Sequence, residues 1–154
     1  MADTTADRLA IIDTLTSYAL ALDVKDWDRL ARVFTDDAVA DYGDLGPVLT
    51  GGEAISADLR SIVEPLDACF HLVGNFLIEI DGDTAKSTTY LFAQHVLHNA
   101  VGGPIFHVTA IYHDKLVRDG DGWRISARRL QPIWTDGNGA VATQARARFD
   151  AAAQ

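Results

Sequence analysis

The hydrophobic positions in the first third of the chain follow the period of an α-helix. Residues 6–22 carry apolar side chains three and four positions apart, which predicts a helix with one buried stripe. The stripe consists of Leu9, Ile12, Leu15, Ala19 and Leu22. A second, short helix is predicted after an Asp26 cap, with Leu30 and Phe34 on its apolar face.

Further along the chain the period becomes that of β-strands. A strand near 36–42, its return at 48–50 and a third helix at about 52–63 come first, and four long strands follow at 68–80, 84–98, 105–117 and 123–134. Helices followed by a meander of antiparallel strands are typical of an α+β domain whose helices cover one face of a curved sheet. The Ala-rich segment 142–153 is predicted either to be helical or to fray.

Length, charge and cysteine content limit the possible functions. With 154 residues, 48% of them hydrophobic, the chain is predicted to be a single domain at 1–154, with a core at about 6–136 and a tail at 137–154. The net charge of -9 argues against binding to nucleic acid or to an anionic membrane. Cys69 is the single cysteine, so no internal disulfide forms, and the N-terminus lacks a signal-peptide pattern. We therefore expect a cytoplasmic protein whose partner is a small hydrophobic molecule.

Asp23 is the most informative position. It lies at the C-terminus of the first predicted helix, where a carboxylate faces the negative end of the helix dipole and needs a compensating partner. Tyr18 lies five positions earlier, on a stripe with Ile11, Leu15 and Leu22. The phenol and the carboxylate are therefore predicted to converge on the interior, although a solvated Asp23 and a Tyr18 that only packs remain alternatives.

The order of elements and several motifs resemble the NTF2-like superfamily and its SnoaL-like branch. The motifs are Tyr18 with Asp23, Trp27-Asp28-Arg29-Leu30, Phe34-Thr35-Asp36-Asp37-Ala38, His71, and Asp121-Gly122-Trp123-Arg124-Ile125. The resemblance covers about residues 6–136. It implies a cone in which N-terminal helices pack in the concave face of a curved, mostly antiparallel sheet and leave a deep apolar pocket.

Within this superfamily the chain resembles three lyase families: the scytalone dehydratases, the lindane dehydrochlorinases and the bile-acid 7α-dehydratases. The resemblance implies a catalytic Asp–His pair, which falls on Asp23 and His71. An imidazole is the side-chain base best suited to neutral pH, and a paired carboxylate fixes its tautomer. The expected function is a cofactor-independent lyase that performs a dehydratase-type elimination on a small hydrophobic cyclic substrate. Tyr18, with Tyr42 or Tyr112, is expected to hydrogen-bond the oxygen that gains negative charge.

Four further positions complete the expected site. The resemblance places His95 at a second catalytic histidine, although that residue could also lie on the outer face of the sheet. Arg128 is a further catalytic candidate. If Trp123 faces one side of the last strand, alternation puts Arg128 on the other side, and a shifted register makes Arg129 the pocket residue instead. Trp27 and Asp41 join the tyrosines as expected substrate-binding residues.

Two alternatives stay open. A ketosteroid-isomerase-like reaction would use Asp41 and Tyr18, with His71 as a core histidine. A non-catalytic protein would use the pocket only to bind a ligand or to form a subunit interface.

No metal site is expected, because no His-Glu-x-x-His motif or cysteine cluster occurs. Finally, an apolar outer sheet face made of Phe92, Phe106 and Ile111 predicts a homo-oligomer, either a dimer or a trimer.

Overall fold

The computed structural model describes residues 4–120 and 122–154 of the chain. Asp121, which belongs to one of the motifs above, lies outside the described residues. The helices are α1 Thr5–Asp23, α2 Trp27–Ala31, α3 Gly52–Val63 and α4 Val141–Ala152. The strands are β1 Phe34–Asp41, β2 Val48–Thr50, β3 Ala68–Asp81, β4 Thr84–Val96, β5 Ile105–Asp119 and β6 Gly122–Gly137, and a 3-10 helix spans Gly43–Leu45. In the described part of the chain, none of the helices combines the length and apolar character of a membrane span.

The six strands form one sheet in the order β2-β1-β6-β5-β4-β3. All neighbouring strands are antiparallel except β1 and β6, which run parallel. The prediction of an α+β fold with a curved, mostly antiparallel sheet is therefore confirmed. Phe34 was expected on the second helix, but it is the first residue of β1. The backbone of Val33 accepts a hydrogen bond from Ile125 at 2.8 Å, so pairing with β6 ends the helix early.

Helix α1 lies in the concave face of the sheet, chiefly against β3 and β6. Its buried stripe runs through Ile11, Leu15, Tyr18 and Leu22, as the position of Tyr18 had indicated. Leu9 was expected in the stripe but is 59% exposed, because it lies on the solvent side of that line. Burial in the sheet therefore selects the face that carries the phenol.

Several strand pairings in the described part of the sheet contain register shifts. In β3 the pairing with β4 shifts between Gly74 and Leu77, and Asn75 within that stretch has a left-handed φ of 53°. The pairing of β5 with β6 also shifts at two places, between Thr109 and Ala110 and between Lys115 and Leu116. Bulges of this kind increase strand twist and bend. They also decide which residues of β6 face the interior.

Helices α3 and α4 pack together at the other end of the concave face. A Cβ on Gly52 would lie 2.6 Å from the Thr35 carbonyl oxygen, so only glycine lets α3 begin directly against β1. Arg146 of α4 donates to Asp58 at 2.7 Å and to Ser61 at 2.8 Å, both on α3. The C-terminal segment, predicted either to be helical or to fray, is therefore a docked helix.

The outer face of the sheet carries apolar side chains, but not all of the expected ones. Phe92 and Ile111 lie on it, next to the exposed Phe70, Leu72 and Tyr90 of β3 and β4. Phe106 was also expected there, and this prediction is wrong. Phe106 is buried on the concave side, because residues an odd number apart on one strand face opposite sides.

Candidate active site

A cavity of about 250 Å³ lies between the concave face of the sheet and helices α1, α3 and α4. Most of its wall is apolar, with Leu22 from α1 and Leu59 from α3 among the lining residues. The polar groups that reach it are Tyr18, Tyr42, Asp44, Asp58, His71, His95, Tyr112 and Thr143. Asp44 and Leu45 are exposed, which places the opening near the 3-10 helix.

The end of α1 meets β3 at a hydrogen-bonded pair. Oδ1 of Asp23 lies 2.7 Å from Nδ1 of His71, and Oδ2 accepts the His71 backbone N–H at 2.9 Å. The His71 side chain is 5% exposed and that of Asp23 is 19% exposed. Because the carboxylate contacts Nδ1, that nitrogen carries the proton in the neutral imidazole, and Nε2 keeps the lone pair. The pair thus presents a base at the cavity wall.

The backbone after α1 fixes this geometry. The chain reverses at Lys25, whose φ is 57°, and the Lys25 ammonium donates to the Glu64 and Leu66 carbonyl oxygens at 2.9 Å. The end of α1 is thereby tied to the end of α3. This arrangement places Asp23 where the His71 N–H groups can donate to it, which compensates for a carboxylate at a helix C-terminus.

Cys69 supplies a donor to Asp23 that the sequence analysis did not foresee. Its thiol donates to Oδ1 of Asp23 at 3.6 Å and to the Leu22 carbonyl at 3.5 Å. Burial, together with the neighbouring Asp23, raises the pKa of this thiol to about 12, so it stays protonated. Cys69 lies two positions before His71, on the same side of β3, and this spacing was the signal in the sequence.

Asp23, Cys69 and His71 each have one possible metal-ligand atom, and these three atoms lie within 4.8 Å of one another. A metal held by them would displace the protons of the hydrogen bonds described above.

His95 lies beside His71 in the cavity wall, not on the outer face. The two ring centroids are 5.4 Å apart and the planes are nearly perpendicular. Nδ1 of His95 is buried without a hydrogen-bond partner among the described residues. Burial, reinforced by the neighbouring His71, lowers the pKa of His95 to about 4. His95 is therefore a neutral polar group at physiological pH.

This buried neutral histidine predicts a pH-dependent stability. The pKa of His95 is lower in the folded protein than the value of 6.5 expected for an exposed histidine, so the unfolded chain binds the extra proton first as the pH falls. The free energy of unfolding should therefore decrease between pH 6.5 and pH 4, with a contribution from His95 of up to about 3 kcal/mol. Urea unfolding of the native protein and of His95→Gln across this range would measure it. Equal pH dependence in the two proteins would contradict the assignment.

Three tyrosines form a cluster in the wall of the cavity. The Tyr18 hydroxyl lies 3.5 Å from the hydroxyls of both Tyr42 and Tyr112. Burial raises the pKa values of Tyr42 and Tyr112 well above 10. All three side chains contribute to the cavity wall. The cluster therefore presents protonated phenols that can donate hydrogen bonds to a ligand oxygen.

Arg128 faces the interior and Arg129 is exposed. The predicted alternation along β6 was nevertheless wrong, because Arg128 is buried on the same side as Trp123 and Ile125. The shift in pairing between Lys115 and Leu116 adds one residue to β6 and reverses the alternation. Arg128 does not line the cavity. It lies behind the tyrosines and forms a buried ion pair with Asp114, a residue that the sequence analysis missed.

Two other expected residues lie away from the cavity wall. Trp27 is half-buried beside the Arg60 guanidinium, which lies 5.5 Å from the ring centroid. Asp41 accepts a hydrogen bond from the Gly43 backbone at 2.8 Å and caps the turn after β1. Its neighbour Tyr42 is the residue that lines the cavity. The structure thus brings together Tyr18, Asp23, Tyr42, His71, His95 and Tyr112, but not Trp27 or Asp41.

Comparisons with known proteins agree with this architecture. The model of the SnoaL-like domain family matches residues 3–129. An uncharacterized protein of Mycobacterium tuberculosis is 37% identical over 123 residues, which make up 80% of this chain and 83% of that protein. The crystal structure of a protein from Kribbella flavida has a TM-score of 0.84 at 30% identity and covers 92% of this chain and 99% of its own.

Two solved structures of lower identity share the fold. One is a protein of Novosphingobium aromaticivorans, provisionally named a scytalone dehydratase, with a TM-score of 0.81 and 23% identity over 90% of this chain and 92% of that one. The other is the hexachlorocyclohexane dehydrochlorinase of Novosphingobium barchaimii, with a TM-score of 0.76 and 20% identity over 88% of this chain and 92% of that one. The predicted resemblance is therefore confirmed at the level of family and fold.

Proposed function

The chain belongs to the SnoaL-like domain family, and from this premise we propose that it is a lyase that eliminates water from a small hydrophobic cyclic substrate. The proposal depends on one observation, the 2.7 Å contact between Nδ1 of His71 and Oδ1 of Asp23 in the wall of a largely apolar cavity. The names of the two Novosphingobium proteins support it, because a dehydratase and a dehydrochlorinase both catalyse eliminations.

In the proposed reaction His71 is the general base. Nε2 removes a proton from a carbon next to a carbonyl group, and the electron pair of that C–H bond moves toward the carbonyl. The resulting enolate expels the hydroxyl group from the next carbon and forms a carbon–carbon double bond. The proton on His71 passes to the departing hydroxyl, which leaves as water, and the base is regenerated. Asp23 stays ionised and stabilises the imidazolium between these two transfers.

The tyrosine cluster supplies the electrophilic side of the reaction. The enolate oxygen carries the negative charge in the transition state, and hydrogen-bond donors in a water-poor site stabilise such charge by about 3–4 kcal/mol each. Tyr42 and Tyr112 are donors because burial keeps their phenols protonated at neutral pH, and the Tyr18 hydroxyl lies within 3.5 Å of both. Side chains supply every group that this mechanism uses, so we propose no cofactor.

The cavity restricts the substrate. Its volume of about 250 Å³ is below the roughly 300–1,000 Å³ of sites that hold drug-sized ligands. Among the described residues, its lining includes no lysine or arginine, so it offers no full cation to pair with an anionic substrate. We therefore propose a compact, uncharged ring compound with a carbonyl group and a hydroxyl group two carbons away from it.

A substrate screen tests the proposal. We expect the purified protein to convert a compact hydroxylated cyclic ketone, from a panel that includes small terpenoids, into a conjugated enone with a rise in ultraviolet absorbance. Asp41→Asn should keep this activity, because Asp41 lies outside the cavity wall. A double-bond shift that depends on Asp41 would favour the isomerase alternative. Equal turnover by the native protein and by a His71→Gln variant would contradict the proposed base.

A further inference from the structure

A buried ion pair lies behind the tyrosine cluster. The Arg128 guanidinium donates through Nε and Nη2 to the two carboxylate oxygens of Asp114, both at 2.8 Å. The two residues face each other directly across β5 and β6. Their side chains are 1% and 0% exposed, respectively. Neither residue lines the cavity, so no substrate group is within their direct reach.

The positive end of this pair contacts the ring faces of two cavity tyrosines. The central guanidinium carbon of Arg128 lies 3.8 Å from the ring centroid of Tyr112 and 4.1 Å from that of Tyr18. A cation over an aromatic face is attracted to its π electrons and draws electron density from the ring. A phenol that loses electron density is a stronger hydrogen-bond donor. Arg128 therefore places a positive charge over the ring faces of two tyrosines that line the cavity.

Asp114 leaves part of the guanidinium unpaired. Nη1 of Arg128 is buried without a hydrogen-bond partner among the described residues. The Ser87 and Thr89 hydroxyls, on the neighbouring strand β4, are likewise buried without a partner in that part of the chain. A low-dielectric interior strengthens the field of a charge that is incompletely compensated. Among the described residues, Tyr112 and Tyr18 have the aromatic rings nearest to the Arg128 charge, at 3.8 and 4.1 Å, and Phe34 follows at 5.8 Å.

We propose that Arg128 and Asp114 form a positioning pair that polarises Tyr18 and Tyr112 as donors toward a negatively charged oxygen in the cavity. Arg128 supplies the field, and Asp114 holds the guanidinium against the rings and limits how much of its charge reaches them. This inference rests on the proposed function, since it assigns the tyrosines to an oxyanion. It adds two residues that act on the reaction without touching the substrate.

Removing the whole pair and removing only the charge of Asp114 are predicted to change nitrophenolate binding in opposite directions. A purely structural role for the pair would not produce opposite changes. Replacing both residues, Arg128→Met with Asp114→Leu, removes the field while keeping the space filled. We expect this variant to bind 4-nitrophenolate about tenfold more weakly than the native protein, with no change for 4-nitroanisole, whose oxygen carries a methyl group and cannot ionise. Asp114→Asn leaves the full charge of Arg128 and should bind 4-nitrophenolate more tightly. The absorbance of the nitrophenolate measures binding and ionisation together.

Three results would overturn the inference: equal weakening for both ligands in the double variant, no change for either ligand, or weaker nitrophenolate binding in a folded Asp114→Asn. If Asp114→Asn does not fold, the double variant alone decides the question. Failure of native protein to bind 4-nitrophenol would count against both the inference and the proposed role of the tyrosines. The nitrophenolate preference should persist in His71→Gln, so loss of catalysis and loss of the field are distinguishable.

Discussion

Replacing His71 by Gln should lower kcat/KM by about 10²–10⁴-fold while leaving the fold intact. Glutamine is similar in size and can still hydrogen-bond Asp23, but its amide does not accept a proton at neutral pH. Because the variant loses an interaction made only in the transition state, kcat should fall and KM should change little. Steady-state kinetics on the substrate identified by the screen would measure this, and circular dichroism would confirm the fold.

Asp23→Asn should cause a loss of similar size for a related reason. The amide NH₂ of asparagine can donate to Nδ1 of His71, which favours the tautomer with its proton on Nε2 and blocks the base. The double variant should be no worse than the more damaged single variant, because residues that act as one unit are not additive. Losses that multiply in the double variant would mean that the two residues act separately.

The chain offers a matched control for these variants. His98 and Asp67 form a second His–Asp pair, with 3.5 Å between Nδ1 and Oδ1, but the His98 side chain is 68% exposed and lies outside the cavity wall. His98→Gln should therefore leave kcat/KM unchanged. A loss of activity in His98→Gln comparable to that in His71→Gln would show that the substitution acts through stability and not through the cavity.

The inward position of Asp23 was predictable from a local signal, whereas its pairing with His71 was an implication of the resemblance to the lyase families. Asp23 ends helix α1 at the pole where a carboxylate is unfavourable, and His71 lies within a mostly apolar stretch of β3. Helix and strand periods then turn both side chains inward. The chain order of helices and long strands gave the α+β class for the same reason, since each element has its own period. These features depend on neighbours in sequence, which a single sequence contains.

The parts that were missed depend on pairing between distant segments. Arg128 is buried because an extra residue on β6, opposite Lys115 and Leu116, reverses the alternation, and nothing in the local sequence marks that position. Nothing in the sequence distinguishes Asp114 from a surface carboxylate. Only the register of β5 and β6 places Arg128 opposite it. Trp27 was expected at the cavity from its place in a motif, but α2 ends at Ala31 and holds that ring beside Arg60.

Arg128→Met alone should lower the free energy of unfolding by about 3–5 kcal/mol, the largest stability loss that we expect from a substitution of a charged residue in this chain. The cost arises because Asp114 would remain buried without the two donors it now has at 2.8 Å. Urea unfolding followed by circular dichroism would measure it. Arg124→Met is the matched control on the same strand. Its pair with Asp119 is partly exposed, and such pairs contribute about 0–1 kcal/mol.

Adding Asp114→Leu to Arg128→Met should restore most of that stability, because an apolar pair of similar volume avoids the desolvation of two charges. A double variant as unstable as Arg128→Met would show that the ion pair itself stabilises the fold. Recovery of stability together with weaker nitrophenolate binding would separate the two roles. The buried charges would then reduce stability relative to an apolar pair, and their contribution would lie in the field that they impose on Tyr18 and Tyr112.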